Sequence, residues 1–335
     1  MRYTSTSYTL GIKYNPLQDL AIRASHSTAF LPPTALQLLT DPEPSPGVPI
    51  VDPKNGQAYN VTLIGTGNPN LQPQRASTWD IGAIWEPHES VLDGLRVDLE
   101  YYRIIQPNYI VSPYVQSVVD DPALASRVVR DPTTGLITTV DCSLINATEY
   151  KTSGFDLTLG YKKSTNYGAF GARLSGTDIQ HDLRQTSVGA PLLEYAGYAD
   201  DGGEPKLKAN LRLSWEYREW SLYWSSVYFG SYPPPGTPGS PTYIEDGGPS
   251  SYYTELQELQ GGRIPSQTFH NISGVYSVDK SHLKGISSLS VNFGITNLFD
   301  QWPAYEAKNN FHYAYSSPYG NVMLRQYTVG FRVAF

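Results

Sequence analysis

Charge is what this chain has least of. Asp, Glu, Lys and Arg together make up 16% of its residues, against roughly 25% in ordinary soluble domains. That deficit fits a protein whose outer surface meets hydrocarbon. Cysteine is nearly absent too. Cys142 stands alone, so no internal disulfide can form and a zinc–thiolate cluster has no support. No run of about 18 apolar residues occurs, so no transmembrane helix is expected. That absence leaves a β-barrel open, because a barrel crosses the bilayer on alternating strands. The net charge is −7 without a basic stripe, which argues against a nucleic-acid partner. His26, His88, His181, His270, His282 and His312 form no metal-ligand spacing. Neither a Gly-x-Ser-x-Gly elbow nor a phosphate-binding loop is present, so no enzyme activity and no cofactor are expected. The acidic glycine segments at 200–204 and 245–248 read as solvated turns rather than calcium loops.

Aromatic residues, by contrast, are plentiful: 26 Tyr, 10 Phe and 6 Trp. Amphipathic rings favour a membrane–water boundary, where aromatic girdles of a barrel would hold them. The chain end shows how the rest is organised. Tyr327, Val329, Phe331, Val333 and Phe335 alternate with Gln326, Thr328, Gly330, Arg332 and Ala334. Successive strand side chains point to opposite faces, so this is a strand with one apolar and one polar side. The same pattern recurs in Tyr8–Tyr14, Leu20–Ala24, Trp79–Trp85, Leu95–Tyr102, Phe155–Tyr161, Phe170–Ser175, Leu207–Arg218, Trp220–Ser226, Ile272–Val278 and Leu289–Thr296. About eleven strands result, the expected architecture of an all-β transmembrane antiparallel barrel. A soluble β-sandwich with tyrosine-rich loops is the rival reading.

Short turns near Asn15–Asp19, Pro87–Asp93, Lys163–Asn166, Glu219 and Asp279–Ile286 alternate with long connections. The long ones span about Phe30–Gln74, Pro107–Asn146 (with a short helical turn in Asp121–Arg130), Asp182–Pro205, Pro233–Pro265 and Asp300–Asn321. In outer-membrane barrels short turns face the periplasm and long loops face outward. The first and last strands then run the same way, whereas a bacterial single-chain barrel holds an even number of strands. Upstream strands are therefore expected beyond Met1, and Met1-Arg2-Tyr3 lacks the apolar segment of an export signal.

Several motifs resemble those of TonB-dependent outer-membrane receptors. The run Gly67-Asn68-Pro69-Asn70-Leu71-Gln72-Pro73-Gln74, with Ser77 and the strand at Trp79 after it, is similar to that family's loop-to-strand junction. Asn297-Leu298-Phe299-Asp300 resembles the family's motif before the last extracellular loop, and the terminal strand to Phe335 resembles its C-terminal assembly signal. Phe30-Leu31-Pro32-Pro33 and Ser153-Gly154-Phe155-Asp156 are looser likenesses. The resemblance implies one barrel domain over residues 1–335, the C-terminal half of a probable 22-stranded barrel. It implies partners as well: outer-membrane lipid, the barrel-assembly machinery, and, in the intact protein, a plug and TonB. An export signal, a plug and a TonB box are absent from these residues, so the chain alone is not expected to transport. The ligand would be a scarce nutrient of siderophore, cobalamin or carbohydrate type; a passive porin-like channel is the alternative.

With the apolar set outward, Arg23, Arg96, Asp98, Glu100, Arg173, Lys208, Arg212, Glu216, Arg325 and Arg332 are expected to face the lumen. An Arg or Lys on the lipid side at the midplane would cost about 2–4 kcal/mol. Such charges line a wet interior or meet a plug, or else they form part of a substrate path. The loop tyrosines Tyr243, Tyr252, Tyr253, Tyr313 and Tyr315 either capture ligand or pack the loops together. For the two motifs, fixed proline φ angles and asparagine side chains that close local turns favour a structural role over ligand contact.

Overall fold

A computed structural model describes residues 6–88, 91–185, 190–198, 203–278, 286–304 and 322–334. Its strands, in chain order, are β1 (Thr9–Leu17), β2 (Leu20–Leu31), β3 (Glu43–Val51), β4 (Ala58–Gly65), β5 (Gln74–Trp85), β6 (Leu95–Val111), β7 (Val128–Arg130) and β8 (Ile137–Asp141). They continue as β9 (Ile145–Thr165), β10 (Gly168–Gln185), β11 (Leu192–Glu194), β12 (Leu207–Tyr217), β13 (Trp220–Phe229), β14 (Gln267–Ser277), β15 (Ser288–Thr296) and β16 (Gln326–Ala334). Four short helices accompany them: α1 (Ala35–Leu38), α2 (Val115–Asp120), α3 (Pro241–Asp246) and α4 (Ser251–Gln260).

The large sheet runs in the order β1-β2-β5-β6-β9-β10-β12-β13-β14-β15-β16, with β11 attached to β10. Every neighbouring pair along that path is antiparallel. Among the described residues no ladder joins β1 to β16, so the path has two free edges. The eleven long strands are those expected from the alternating segments.

Register carries the alternation across the whole sheet. Directly paired residues share a face. One continuous row runs Ile12–Ala24–Ile81–Tyr101–Phe155. Another runs Leu159–Leu174–Leu211, and a third Trp224–Ile272–Ile295–Tyr327. Among the described residues no second protein layer covers this face. Ile81 is 52% exposed, Leu99 46%, Leu213 41% and Trp220 42%, all well inside the sheet edges. Aromatics gather toward both ends of the strands: Trp79, Tyr101 and Phe155 at the loop end, Trp85, Tyr161 and Tyr217 at the turn end. A soluble sandwich would bury this face.

Two of the long connections are not irregular as expected. Residues 30–74 and 107–146 supply β3, β4, β7 and β8, which form a second sheet in the order β3-β4-β8-β7. Pro44 and Pro49 disguised β3, yet proline is tolerated there because β3 is an edge strand. The β4–β8 pairing is parallel and joins residues far apart in the chain, so no local pattern announces it. Ile50, Val61, Val115, Val118, Leu124, Ile137, Val140 and Cys142 form the core of this loop body; the helical turn expected within Asp121–Arg130 is a 3-10 segment at Pro122–Arg127, with the unexpected α2 before it and strand β7 taking Val128–Arg130. The connection at 233–265 likewise folds α3 and α4, each started by a serine cap, Ser240 and Ser250. The first hairpin is tighter than expected. β1 continues through a bulge to Leu17, which pairs with Leu20 and leaves only Gln18 and Asp19 in the turn.

Candidate functional site

At the loop end of the large sheet, β6, β9 and β10 rise past the apolar band. A bulge in β10 sets Ile179 and His181 opposite the consecutive residues Gly154 and Ser153. The extra residue shifts the alternation by one. Asp182 and Arg184 thereby join the polar face of Arg173 and Ser175, in line with Thr152 and Tyr150 on β9 and Gln106 on β6.

Arg184 is held from three sides. Its Nη2 donates to Asp182 Oδ2 at 2.7 Å and its Nε to Oδ1 at 3.1 Å. The guanidinium lies 4.6 Å from the Tyr195 ring centre and 5.6 Å from that of Tyr150. Tyr195 is positioned by its N–H, which donates to the Asp182 carbonyl at 2.7 Å. These groups border a cavity of about 830 Å³ between the loop body and the large sheet. Gln106, Tyr109, Ser112, Tyr114, Thr148, Glu149 and Gln185 add to its polar lining, and Tyr109 and Tyr150 approach ring to ring at 5.9 Å. Size and lining suit a small ligand. Fixed cation and aromatic faces suit one that is anionic, aromatic or both. Cys142 also borders the cavity. Burial, with Asp141 adding to it, pushes its thiol up to about 11, so it is not a thiolate at neutral pH.

A partly buried ion pair clamps the loop body. Both Arg130 terminal nitrogens reach Asp52, at 2.6 and 2.8 Å, and the Tyr59 hydroxyl donates to it at 2.7 Å. The Asp52 side chain is fully enclosed. Hydrogen bonding from Arg130 is the largest influence and outweighs desolvation, so the carboxyl titrates well below its ordinary range. Arg130 is raised in turn, chiefly by Asp52.

The charged residues singled out in the sequence share the polar face of the large sheet, with one exception. Arg23 contacts Asp98 at 3.2 Å and also Glu100, and Arg96 joins Glu86 and Asp98. Arg173 lies directly opposite Arg212, and Arg332 opposite Ser290. Arg325 precedes the first residue of β16, and its N–H donates to Asp300 Oδ1 at 2.9 Å. Strand parity therefore does not assign it to that face.

The two motifs fasten loops to strands. Asn68 receives the Asn70 N–H at 2.9 Å and donates its own N–H to Gln37 O at 2.7 Å and Nδ2 to Leu144 O at 2.9 Å. Pro69 and Asn70 form the turn, Leu71 is buried, and Pro73 leads into β5. A Cβ on Gly67 would lie 2.4 Å from Leu39 O, so only glycine fits. Asn297 has φ 52° and exchanges two 2.8 Å bonds with Gln301. Leu298 N–H donates to His270 O at 2.7 Å, and Phe299 packs on His270 and Trp224 at 5.1 and 5.9 Å. Asp300 also adopts positive φ. Tyr243 lies on α3 and Tyr253 on α4, both outside the cavity lining, and Tyr252 belongs to α4 as well. Tyr313, Tyr315 and Phe335 lie outside the described residues. Sequence reasoning missed Arg184, Tyr150 and Tyr195, since the bulge that aligns them has no local pattern.

A family model described as TonB dependent receptor-like, beta-barrel matches residues 1–298. A mutant ferric enterobactin receptor, PfeA, from Pseudomonas aeruginosa superposes with a TM-score of 0.62 at 16% identity, over 98% of this chain and 40% of that one. The siderophore receptor PirA from Acinetobacter baumannii gives 0.62 at 15% identity, over 98% and 41%. At such identities the likeness is one of fold. The chain spans about 40% of the length of these relatives. No curated protein matches it.

Proposed function

The chain belongs to the TonB-dependent receptor-like β-barrel family, a family of transport receptors rather than enzymes, and from that premise we propose that it forms wall and extracellular loops of an outer-membrane receptor for a siderophore-type iron complex. The observation that carries this reading is the two-faced sheet. A bare apolar face spans eleven strands, and the polar face behind it leads up to the Arg184 cavity. Hydrocarbon is the surrounding that satisfies the first face, and water, ligand or a plug satisfies the second. Loops gather at one end, where the ligand enters. A catecholate–iron complex carries negative charge on aromatic rings, which matches a guanidinium flanked by two tyrosines.

In this reading the motif residues from Gly67 to Pro73 and from Asn297 to Asp300 are structural, fastening loop ends to the wall. The polar-face charges meet the lumen. Coupling to TonB and gating by a plug belong to other parts of a complete receptor, so these residues alone do not drive uptake. Expression in a siderophore-uptake-deficient Gram-negative strain tests this. The chain should fractionate with the outer membrane and shift on a gel when heated, and radioiron uptake should require a complete receptor carrying this barrel. Energy-dependent uptake from residues 1–335 alone would overturn the division of labour. Recovery of the chain in the soluble fraction would overturn the location.

A further inference from the structure

Toward the turn end of the polar face lies a cavity of about 530 Å³ whose charged lining is wholly cationic: Arg96, Lys162, Arg173 and Arg212. We propose that it is a site for clustered carboxylates, an assignment that rests on this face being the barrel interior. The register builds it. Arg96 pairs with Gly160, Gly160 with Arg173, and Arg173 with Arg212, so three arginines and a glycine form one row across four strands. Gly160 has no side chain and no neighbour within 4 Å of where one would begin. The row is therefore open at its centre, with Arg96 on one side and Arg173 on the other.

Like charges directly opposite on adjacent strands destabilise a sheet. The pair is not neutralised from within: among the described residues no ion pair holds Arg173, Arg212 or Lys162. Nearby acids are engaged elsewhere. Glu86 and Asp98 hold Arg96, Glu216 receives the Tyr223 hydroxyl at 3.0 Å, and Asp156 receives the Thr177 hydroxyl at 2.5 Å. Arg212 is steadied instead by the Tyr223 ring, 5.4 Å from its guanidinium. Guanidinium groups bind carboxylates in bidentate fashion, so adjacent Arg173 and Arg212, with Lys162 lining the same cavity, fit several carboxylates fixed close together. A small polycarboxylate in the interior and an acidic stretch of polypeptide against the wall both present that chemistry.

The test uses the full chain in detergent micelles with two probes, citrate and a fluorescent hexaglutamate peptide. At low salt one or both should bind, weakening as salt rises. The Arg173→Gln/Arg212→Gln variant should lose about tenfold or more in affinity, while Arg332→Gln, on the same face and distant in register, leaves it unchanged. Arg173→Lys/Arg212→Lys keeps the charge and should retain most binding. Citrate binding marks a small-molecule source and peptide binding a polypeptide one; either supports the site. Wild-type chain that binds neither probe, or Gln variants that bind as the wild type does, overturns it. Heat-modifiable migration of the same samples separates the two readings: its retention without binding refutes the anion site alone.

Discussion

At the scale of single residues, charges do their work where the surroundings leave them few partners. Arg184 is fixed by Asp182 and two tyrosine rings and borders the cavity. Arg184→Gln removes the cation beside the cavity and keeps an amide donor for the buried Asp182 carboxylate. Affinity for a ferric catecholate probe should fall about tenfold or more, measured by quenching of intrinsic fluorescence, with the fold unchanged. Asp52 acts on stability instead. Its carboxyl is held below its ordinary range by Arg130, so its contribution is complete above an unfolded value of about 4 and fades as pH drops toward the lower folded value. The loop body should therefore become protease-sensitive in acid below about pH 4 while the large sheet stays intact. Asp52→Asn should reproduce that sensitivity at neutral pH, because the half-buried Arg130 loses its carboxylate partner, at a cost of about 1–3 kcal/mol.

At the scale of elements, under the proposed outer-membrane placement, the bilayer is what makes the strands readable. Hydrocarbon punishes each misplaced charge, so the alternation is written with little noise on β5, β6, β12 and β16. Leu99→Arg, on the apolar face of β6, should cost about 2–4 kcal/mol in lipid vesicles by urea titration. Thr158→Lys, opposite Asp98 on the other face, should stay within about 0.5 kcal/mol. Equal costs would mean the faces are misassigned. Outside the bilayer that discipline relaxes. β3 carries prolines on a sheet edge, β4 finds β8 across a long sequence gap, and one extra residue in β10 turns Arg184 onto the cavity side. Each depends on pairing over distance, which short-range periodicity does not record. The eleven strands and both motifs were thus legible in the sequence, and the cavity was not.

At the scale of the whole molecule, the sheet among the described residues has edges with unpaired backbone groups at β1 and β16. β1 is exposed along its entire length. Exposed edges of this length recruit other strands. The isolated chain in detergent should therefore associate with rising concentration, and sedimentation should show species heavier than the 37.1 kDa chain. A monodisperse monomer at all concentrations would contradict this.

The parallel β4–β8 ladder has one more consequence. It ties a connection that leaves β2 to one that leaves β6, and the two share a single core. Parting them would strip Ile50, Val61, Val118 and Val140 of their packing, so they cannot swing separately. The roof beside the Arg184 cavity is one leaf hung on two pins, and whatever lifts one margin lifts the other.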